Sequence, residues 1–505
     1  MNNWQNNDGE NINIVILDSG CNPHTNFLNQ PKGKSILIKQ DKIVIEDGCE
    51  DLLGHGTAIY GIIHKSLPKA NIINIKIYDE LFYLNNIEIL YFALEYIYEN
   101  IDCHILNMSF GISQISNLEY LKQKIDKIQK KGTFIISAFQ NTGAISYPAN
   151  FENVIGVDSD ISIKNQYDFK YIENSVVNIR AKSIPQRLHW LDNKYIIDSG
   201  ASYATAHITA IVAKIIQKNL NISLIELKNK LKILCKEKII IKKSEPIKKP
   251  LFKINNAIVF PLNKEIHALI RYREMLDFEI VGIFSSKYLG YINKPVNNII
   301  KNINDTSIIK NVESINWKEN FDTLILGHTD KIENLIGKDI TKNLILNCIK
   351  YNKNIFAFDN NYFEFFINNN GIKEKFYFTS VNEENINQET LGKLYNHNAP
   401  ILGILGTDSN QAKFSLQLFL RKKFIENNYK VGQLGTEPSS LLFNFDESYP
   451  IGYNSNVSLK SEDSILTLNN IIHKIDMKSP DLIIVGSQSG SKPDYYYNIV
   501  NLNLR

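Results

Sequence analysis

The sequence is poor in cysteine: its 505 residues contain five, and these are scattered along the chain and odd in number. A disulfide framework requires paired cysteines, so this usage favours a reducing compartment. Long apolar runs are also absent, because no stretch approaches the roughly 20 apolar residues that a transmembrane helix needs. The formal net charge of +3 is too close to neutral to indicate a nucleic acid or an anionic membrane as partner.

The first residues also lack the pattern of a signal peptide. Met1–Asp8 is polar and acidic, whereas a signal peptide begins with basic residues and continues into an apolar core. We therefore expect a cytoplasmic protein that binds neither nucleic acid nor membrane. The sequence does not indicate an oligomeric state.

Apolar runs of strand length alternate with amphipathic helical patterns over the first 240 residues. The expected strands are Ile12–Leu17, Asn71–Ile77, Ile105–Met108, Thr133–Ala138 and Val154–Val157. Two of the expected helices are Ile87–Tyr98 and Leu118–Lys131, where apolar residues recur every three or four positions. Such alternation predicts an α/β fold with a doubly wound parallel sheet, whose functional site lies at the carboxyl ends of the strands.

Four polar residues stand in settings that suit nucleophilic catalysis. Asp18 ends an apolar strand, His55 lies between two glycines at the start of a helix, and Asn141 follows another buried strand. Ser202 follows a small-residue loop and begins an apolar helix, where free N–H groups and the helix dipole favour a developing anion. A serine hydroxyl needs an adjacent base to become nucleophilic, and His55 is the candidate.

The order Asp, His, Asn, Ser resembles that of the subtilisin-like serine proteases over roughly Asn11 to Leu234. The segments similar to the family motifs are Asp18-Ser19-Gly20, Gly54-His55-Gly56-Thr57, Asn107-Met108-Ser109-Phe110-Gly111 and Gly200-Ala201-Ser202-Tyr203-Ala204. The resemblance implies an endopeptidase that acts on a peptide or protein. In such an enzyme, Ser202 would attack the peptide carbonyl and His55 would transfer the proton. Asp18 would orient His55, and Asn141 would stabilise the oxyanion.

The resemblance also implies a substrate pocket and reveals a departure from the family pattern. The implied pocket residues are Ser109, Phe110, Gly111, Ala138, Gln140 and Ser146. Gln140 stands where the family usually has glycine, so we expect a narrowed pocket and a dedicated substrate, such as the leader of a modified bacterial peptide. Ala206 replaces a usual proline, and His207 is expected to serve packing.

Two segments that are common in secreted subtilisins have little room here. Only a short polar lead precedes Ile12, so the resemblance is to an intracellular branch without a pro-segment. The stretch Ala58–Ala70 is too short for the calcium-binding insertion that often follows the family's histidine motif. We therefore expect no structural calcium at that place, no other metal and no cofactor.

The expected domain order is a subtilisin-like domain at 1–240, a basic linker at 241–262, a Rossmann-like α/β domain at 263–398 and a degenerate P-loop-like α/β domain at 399–505. The last begins with a strand at Ile401–Leu405 and continues into a loop that resembles the phosphate loop of dethiobiotin-synthetase-like proteins. Its candidate phosphate-binding residues are Gly406, Thr407, Lys413 and Ser415. Ala412 replaces the glycine that usually precedes the lysine.

Two further hypotheses remain open at the level of sequence. In one, the protease fold is weak or silenced and holds peptides, while Lys413 and Ser415 serve a nucleotide-dependent activity. In the other, the protease trims its own N-terminus.

Overall fold

The computed structural model describes residues 4–23, 27, 30–79, 86–360, 374–407, 411–452 and 455–487. The chain divides into two compact units. The first comprises Met1–Lys243 and Asn387–Asn396, and the second comprises Ser244–Ile386 and His397–Arg505. The segment Asn387–Asn396 thus lies in the first unit, although it falls within the span 263–398 that the sequence assigns to a separate domain.

A 10-stranded sheet forms the centre of the first unit, in the order β12-β8-β9-β7-β6-β5-β1-β4-β2-β3. A separate hairpin pairs β10 with β11. The strands are β1 (Asn13–Asp18), β2 (Lys32–Lys39), β3 (Lys42–Asp47), β4 (Asn71–Lys76), β5 (Ile105–Met108), β6 (Phe134–Ala138), β7 (Ile155–Asp160), β8 (Phe169–Glu173), β9 (Ile179–Lys182), β10 (Gln186–His189), β11 (Tyr195–Asp198) and β12 (Glu237–Ile240).

Helices cover both faces of this sheet. They are α1 (His55–Ser66), α2 (Ile87–Asn100), α3 (Leu118–Lys130), α4 (Ala201–Ile216) and α5 (Leu224–Leu234). Along β1, Ile14 and Ile16 join the apolar cluster that contains residues of α1 and α4. Val15 and Leu17 join the cluster that contains residues of α2 and α3. Because successive side chains of a strand point to opposite faces, β1 is apolar throughout and lies between two helical layers.

The central strands and their parallel pairing confirm the expected doubly wound α/β fold. β1 pairs with β4 and β5, and β5 continues through β6 to β7, all in parallel. The antiparallel β2–β3 hairpin at one edge was not predicted, because its polar and charged residues hide the alternation that marks a strand. The same holds for β8–β12, which carry several lysines and glutamates.

The second unit contains two smaller sheets whose strands are all parallel. The six-stranded sheet has the order β15-β14-β13-β16-β17-β18, and the four-stranded sheet has the order β19-β22-β20-β21. The strands are β13 (Asn256–Phe260), β14 (Glu279–Ser285), β15 (Lys310–Asn311), β16 (Thr323–Leu326), β17 (Asn354–Ala357), β18 (Phe376–Phe378), β19 (Ile401–Ile404), β20 (Val431–Gly435), β21 (Glu447–Ser448) and β22 (Leu482–Gly486). The helices are α6 (Lys264–Arg271), α7 (Asp330–Ile336), α8 (Ile340–Lys350), α9 (Lys413–Glu426) and α10 (Ser461–Asp476).

The second unit begins earlier along the chain than position 263. The strand β13 falls inside the expected linker 241–262, yet it pairs on both sides and its last four residues are buried. The basic residues that precede this short apolar run obscured it in the sequence. The Rossmann-like and P-loop-like assignments stay predictions. Among the residues that the structure describes, no helix combines the length and apolar character needed to cross a membrane.

Candidate active site

Asp18 and His55 are in direct contact at the predicted site. Asp18 is the last residue of β1 and is fully buried. Its Oδ1 lies 2.7 Å from Nδ1 of His55 and also accepts the backbone N–H of Ser19 at 2.8 Å. A carboxylate that accepts from Nδ1–H fixes the tautomer in which Nε2 of His55 carries the lone pair.

A second buried carboxylate holds the start of α1 in place. Asp51 Oδ1 accepts the N–H groups of Leu53 and Gly54, each at 2.9 Å. Its Oδ2 accepts the N–H of Thr57 at 2.9 Å and the Thr57 hydroxyl at 2.7 Å. The sequence motifs did not single out Asp51, although its position four residues before His55 suits a residue that caps the helix. Asp51 therefore fixes the backbone on either side of His55.

The charges around His55 favour its protonated form. Burial of the ring opposes protonation, but the Asp18 carboxylate, assisted by Asp51 and Asp198, outweighs burial, so the pKa of His55 is raised above its ordinary value. The hydroxyl of Tyr203 donates a 2.6 Å hydrogen bond to Asp198, and the rings of Tyr203 and His55 lie 5.8 Å apart between centroids. Tyr203, which the sequence did not mark as functional, thus links Asp198 to the histidine.

Ser202 is the second residue of α4 and is half-buried, in a helix that is otherwise almost wholly buried. Gly200, two residues before Ser202, has a φ of 152°. An added Cβ at Gly200 would approach Asn141 Nδ2 to 3.2 Å, so glycine leaves room for the amide beside the helix start. Asn141 Oδ1 accepts the N–H of Ala201 at 3.2 Å. Asn141 is thereby held one residue away from Ser202.

Ser202 and Asn141 line the same cavity, whose volume is about 380 Å³. Four of the predicted pocket residues also line it: Phe110, Gly111, Ala138 and Gln140. Phe139, inside the predicted segment 138–140, lines it as well, and the sequence missed the other lining residues, which are Tyr78, Ile87, Ile112, Ser113 and Gln114. Most of these directly flank the predicted segments, so they belong to the same two walls.

The predicted residues Ser109 and Ser146 are fully buried and support the walls of the cavity. Ser109 Oγ donates to the carbonyl oxygen of Ser202 at 3.1 Å. Ser146 Oγ accepts the N–H of Gln140 at 3.0 Å. Both hydroxyls therefore fix backbone positions next to the cavity.

The side chain of Gln140 joins the two walls. Its Nε2 donates a 2.7 Å hydrogen bond to the carbonyl oxygen of Gly111. Its Oε1 accepts from the Thr142 hydroxyl at 3.3 Å. A glycine at this position has no side chain with which to make either contact. The contact places the Gln140 side chain between the two walls, in space that a glycine would leave empty.

His207 lies apart from these groups and packs inside the first unit. Its Nε2 lies 3.0 Å from Oε1 of Gln186. Burial, together with the nearby Lys182 and Lys65, lowers the pKa of His207 to about 3. A neutral, buried imidazole bonded to an amide suits the expected packing role.

The candidate phosphate-binding residues lie in the second unit. β19 ends at Ile404 and Lys413 begins α9, so Gly406 and Thr407 lie in the connection between them. Residues 408–410 of the predicted loop are outside the described residues. The N–H of Thr407 donates to Oε1 of Gln411 at 2.9 Å, which occupies a donor that a phosphate cradle would use. Ala412 has a φ of 57°, a left-handed conformation that favours the glycine it replaces.

In the described part of the chain, His397, His473 and Asp476 form a group with the side chains of metal ligands. Both carboxylate oxygens of Asp476 already accept backbone N–H groups, from Asn398 at 3.0 Å and from Ala399 at 2.9 Å. Asp476 therefore closes a loop, and we assign no metal to this group.

The fold and this geometry define an α/β domain with a candidate serine-hydrolase site. Residues 9–234 match the family model described as the subtilase family. The part of the chain that carries Asp18, His55, Asn141 and Ser202 is therefore a subtilase domain, as its motifs predicted.

Individual relatives agree with the family match. M-protease of Shouchella clausii (strain KSM-K16) is 25% identical over 234 residues, which cover 44% of this chain and 59% of that protein. Subtilisin Savinase of Lederbergia lenta is 25% identical over 234 residues, 44% of this chain and 83% of the relative. The minor extracellular protease Epr of Bacillus subtilis (strain 168) is 27% identical over 223 residues, 42% of this chain and 33% of the relative. The chain thus spans less than two thirds of M-protease and of Epr.

A solved structure described as a cold adapted subtilisin-like serine proteinase is also similar. It shares 20% sequence identity with a TM-score of 0.38, over 44% of this chain and 82% of its own.

Proposed function

We propose that the first unit is a serine endopeptidase in which Ser202 attacks the peptide carbonyl. The observation that carries the proposal is the 2.7 Å contact between Asp18 and His55, in a domain where Ser202 and Asn141 share one cavity. The subtilase match over residues 9–234 supports it.

Each residue has a chemical role in this proposal. His55 Nε2 takes the proton of the Ser202 hydroxyl and later returns it to the leaving amine. Asp18 orients the imidazole and stabilises its charged form. Asn141 Nδ2 and the Ser202 N–H bind the oxyanion. In subtilisin, the reference case for this chemistry, loss of the side-chain donor costs about 3 kcal/mol of transition-state stabilisation.

We further propose that the substrate is a dedicated peptide or protein, such as the leader of a modified bacterial peptide. The bridge from Gln140 to Gly111 supports this, because it restricts the side chain that can enter between the walls. We also propose that the enzyme acts in the cytoplasm. The five cysteines are all free, which agrees with a reducing compartment.

The test compares the full-length protein with Ser202→Ala. We expect Ser202→Ala to abolish cleavage of candidate precursor peptides and covalent labelling by a fluorophosphonate. Casein serves as a general substrate, against which cleavage of the precursor peptides is compared. Ser162→Ala is the control, because Ser162 is exposed and lies outside the proposed site. Cleavage that survives in Ser202→Ala would end the assignment. Mass spectrometry of the intact protein shows in the same samples whether the N-terminus is trimmed.

Nucleotide binding by the second unit is the second candidate function. It is favoured by one observation: Lys413 begins α9 shortly after β19 ends, as in a phosphate loop. If the second unit binds nucleotide, added ATP should raise the melting temperature of the protein, and Lys413→Ala should remove that rise. Lys423→Ala, on the same helix, is the matched control. If ATP raises the melting temperature of Lys413→Ala as much as that of Lys423→Ala, this loop is not the nucleotide site.

A further inference from the structure

The segment Asn387–Asn396 belongs to the first unit, although residues of the second unit precede and follow it in the chain. Its contacts concentrate on the loop that carries Asn141. The N–H of Leu394 donates to the carbonyl oxygen of Gly143 at 3.0 Å. The N–H of Ile145 donates back to the carbonyl oxygen of Leu394 at 2.8 Å. These two bonds form an isolated parallel β-bridge between Leu394 and Ala144, three residues after Asn141.

The other end of the segment is fixed to a different loop of the same unit. The carbonyl oxygen of Glu389 accepts the N–H of Val176 at 3.1 Å and the hydroxyl of Ser175 at 2.7 Å. Leu391, between the two anchors, and Tyr395, just after the second, pack against a buried apolar cluster. That cluster consists of Phe139, Ile145, Ala149, Ile172 and Val177. The segment is therefore held by its backbone and by its side chains.

An ion pair completes the attachment at the centre of the segment. Lys393 Nζ lies 3.1 Å from Asp158 Oδ2, and the two side chains are only 9% and 10% exposed. The same ammonium group lies 5.3 Å from the ring centroid of Phe139, two residues before Asn141. Lys393 and Asn141 also line one cavity of about 580 Å³, next to the site cavity. Lys393 thus fixes the segment to Asp158 of β7 and lies beside Phe139, from which the chain continues to Asn141.

The segment also reaches the opposite wall of the substrate cavity. Asn396 Nδ2 donates to the carbonyl oxygen of Ser113 at 3.3 Å, and Ser113 lines the cavity that contains Ser202. Both walls that Gln140 joins on the inside are therefore also joined by this segment on the outside.

We infer that Asn387–Asn396 is a positioning segment of the protease site, which holds Asn141 in the geometry that oxyanion binding requires. Asn141, Thr142 and Gly143 are all exposed, so the loop needs an external support to keep its amide in place. Oxyanion donors act through preorganised geometry, and a displacement of about half an ångström matters. The inference rests on the proposed function, and it makes sequence far beyond the family match necessary for full activity.

The test uses full-length Lys393→Met, which keeps the length of the side chain and removes its charge. We expect kcat to fall by about tenfold to a hundredfold, with KM nearly unchanged. This loss is smaller than the loss expected when an oxyanion donor itself is removed. Lys393→Arg should restore most of the turnover. Lys423→Met, which removes an exposed ion pair of α9, is the control and should keep normal turnover. Melting curves establish that each variant is folded.

A double-mutant comparison separates positioning from general destabilisation. In an Asn141→Ala background, Lys393→Met should cost less than about threefold, because the group it positions is gone. The same fold loss in both backgrounds, or turnover equal to that of the control, would overturn the inference.

Hydrogen–deuterium exchange of residues 140–146 provides a readout that does not depend on proteolysis. Exchange should rise in Lys393→Met and stay unchanged in Lys423→Met. Unchanged exchange in Lys393→Met overturns the inference whether or not the protein cleaves peptides. Absence of Ser202-dependent cleavage together with raised exchange would refute the proposed function and leave the support of the loop established.

Discussion

Gln140 donates a 2.7 Å hydrogen bond to the carbonyl oxygen of Gly111, so one side chain connects the two walls of the cavity beside Ser202. The cavity has a volume of about 380 Å³, and under the proposed function this contact limits the substrate side chains that it can hold. The Gln140 side chain also fills space that would be open if residue 140 were glycine.

We predict that Gln140→Gly widens the specificity of the enzyme. Peptides with Phe before the cleaved bond should gain about tenfold or more in kcat/KM relative to peptides with Ala, since even one methylene group in a hydrophobic pocket is worth about 1–3 kcal/mol. Gln140→Met is the matched control, because it keeps the volume and removes the donor. A Phe-to-Ala ratio that does not change in Gln140→Gly would contradict the role of the bridge.

The second prediction concerns the pH dependence of the catalytic base. Burial lowers the pKa of His55, but Asp18, Asp51 and Asp198 raise it by more. The base must be neutral to act, so activity is lost as the pH falls through this raised pKa. Asp198→Asn removes one of the raising charges and keeps a partner for Tyr203. The acidic limb of kcat/KM should therefore move to lower pH, with little change in the limiting rate.

Profiles of kcat/KM between about pH 5 and 9 measure this shift. Asp192→Asn is the control, because Asp192 is an exposed carboxylate that forms an ion pair with Lys194. An acidic limb that stays in place in Asp198→Asn would show that Asp198 does not act on His55.

The elements that the sequence predicted are defined by residues close together in the chain. Those that it missed are defined by contacts between residues far apart in the chain. Buried strands and the motifs around Asp18, His55 and Ser202 carry local signals, so the sequence located them. Asp51 and Tyr203 act through partners that only the fold reveals. The support from Leu394 is less visible still, because it consists of backbone hydrogen bonds to Gly143 and Ile145 that no residue type encodes.

We predict that Asp51 contributes more to stability than most surface carboxylates. Asp51→Ala leaves three backbone N–H groups and the Thr57 hydroxyl without their acceptor, and should cost about 2–4 kcal/mol of unfolding free energy. Asp51→Asn keeps one carbonyl oxygen and should cost less. Both variants are measured by thermal unfolding in a Ser202→Ala background, which prevents self-cleavage. Equal melting temperatures for Asp51→Ala and the background would contradict this account.

The last prediction concerns the acid sensitivity of the first unit. Burial, with Lys182 and Lys65, lowers the pKa of His207 to about 3, whereas an unfolded histidine titrates near 6.5. Below about pH 6.5 the unfolded chain therefore binds a proton that the folded chain does not. The stability associated with neutral His207 is fully present above that pH and is lost as the pH falls toward 3.

At pH 5 this single group should lower the unfolding free energy by about 2 kcal/mol relative to neutral pH. His207→Gln removes the titration while it keeps a polar side chain beside Gln186. In a Ser202→Ala background, the loss of stability between pH 7.5 and 5 should shrink by about that amount. Burial also lowers the pKa of His64 and, together with nearby positive charges, that of His189, so some acid sensitivity remains. If the two proteins lose stability equally over this range, His207 is not buried in its neutral form.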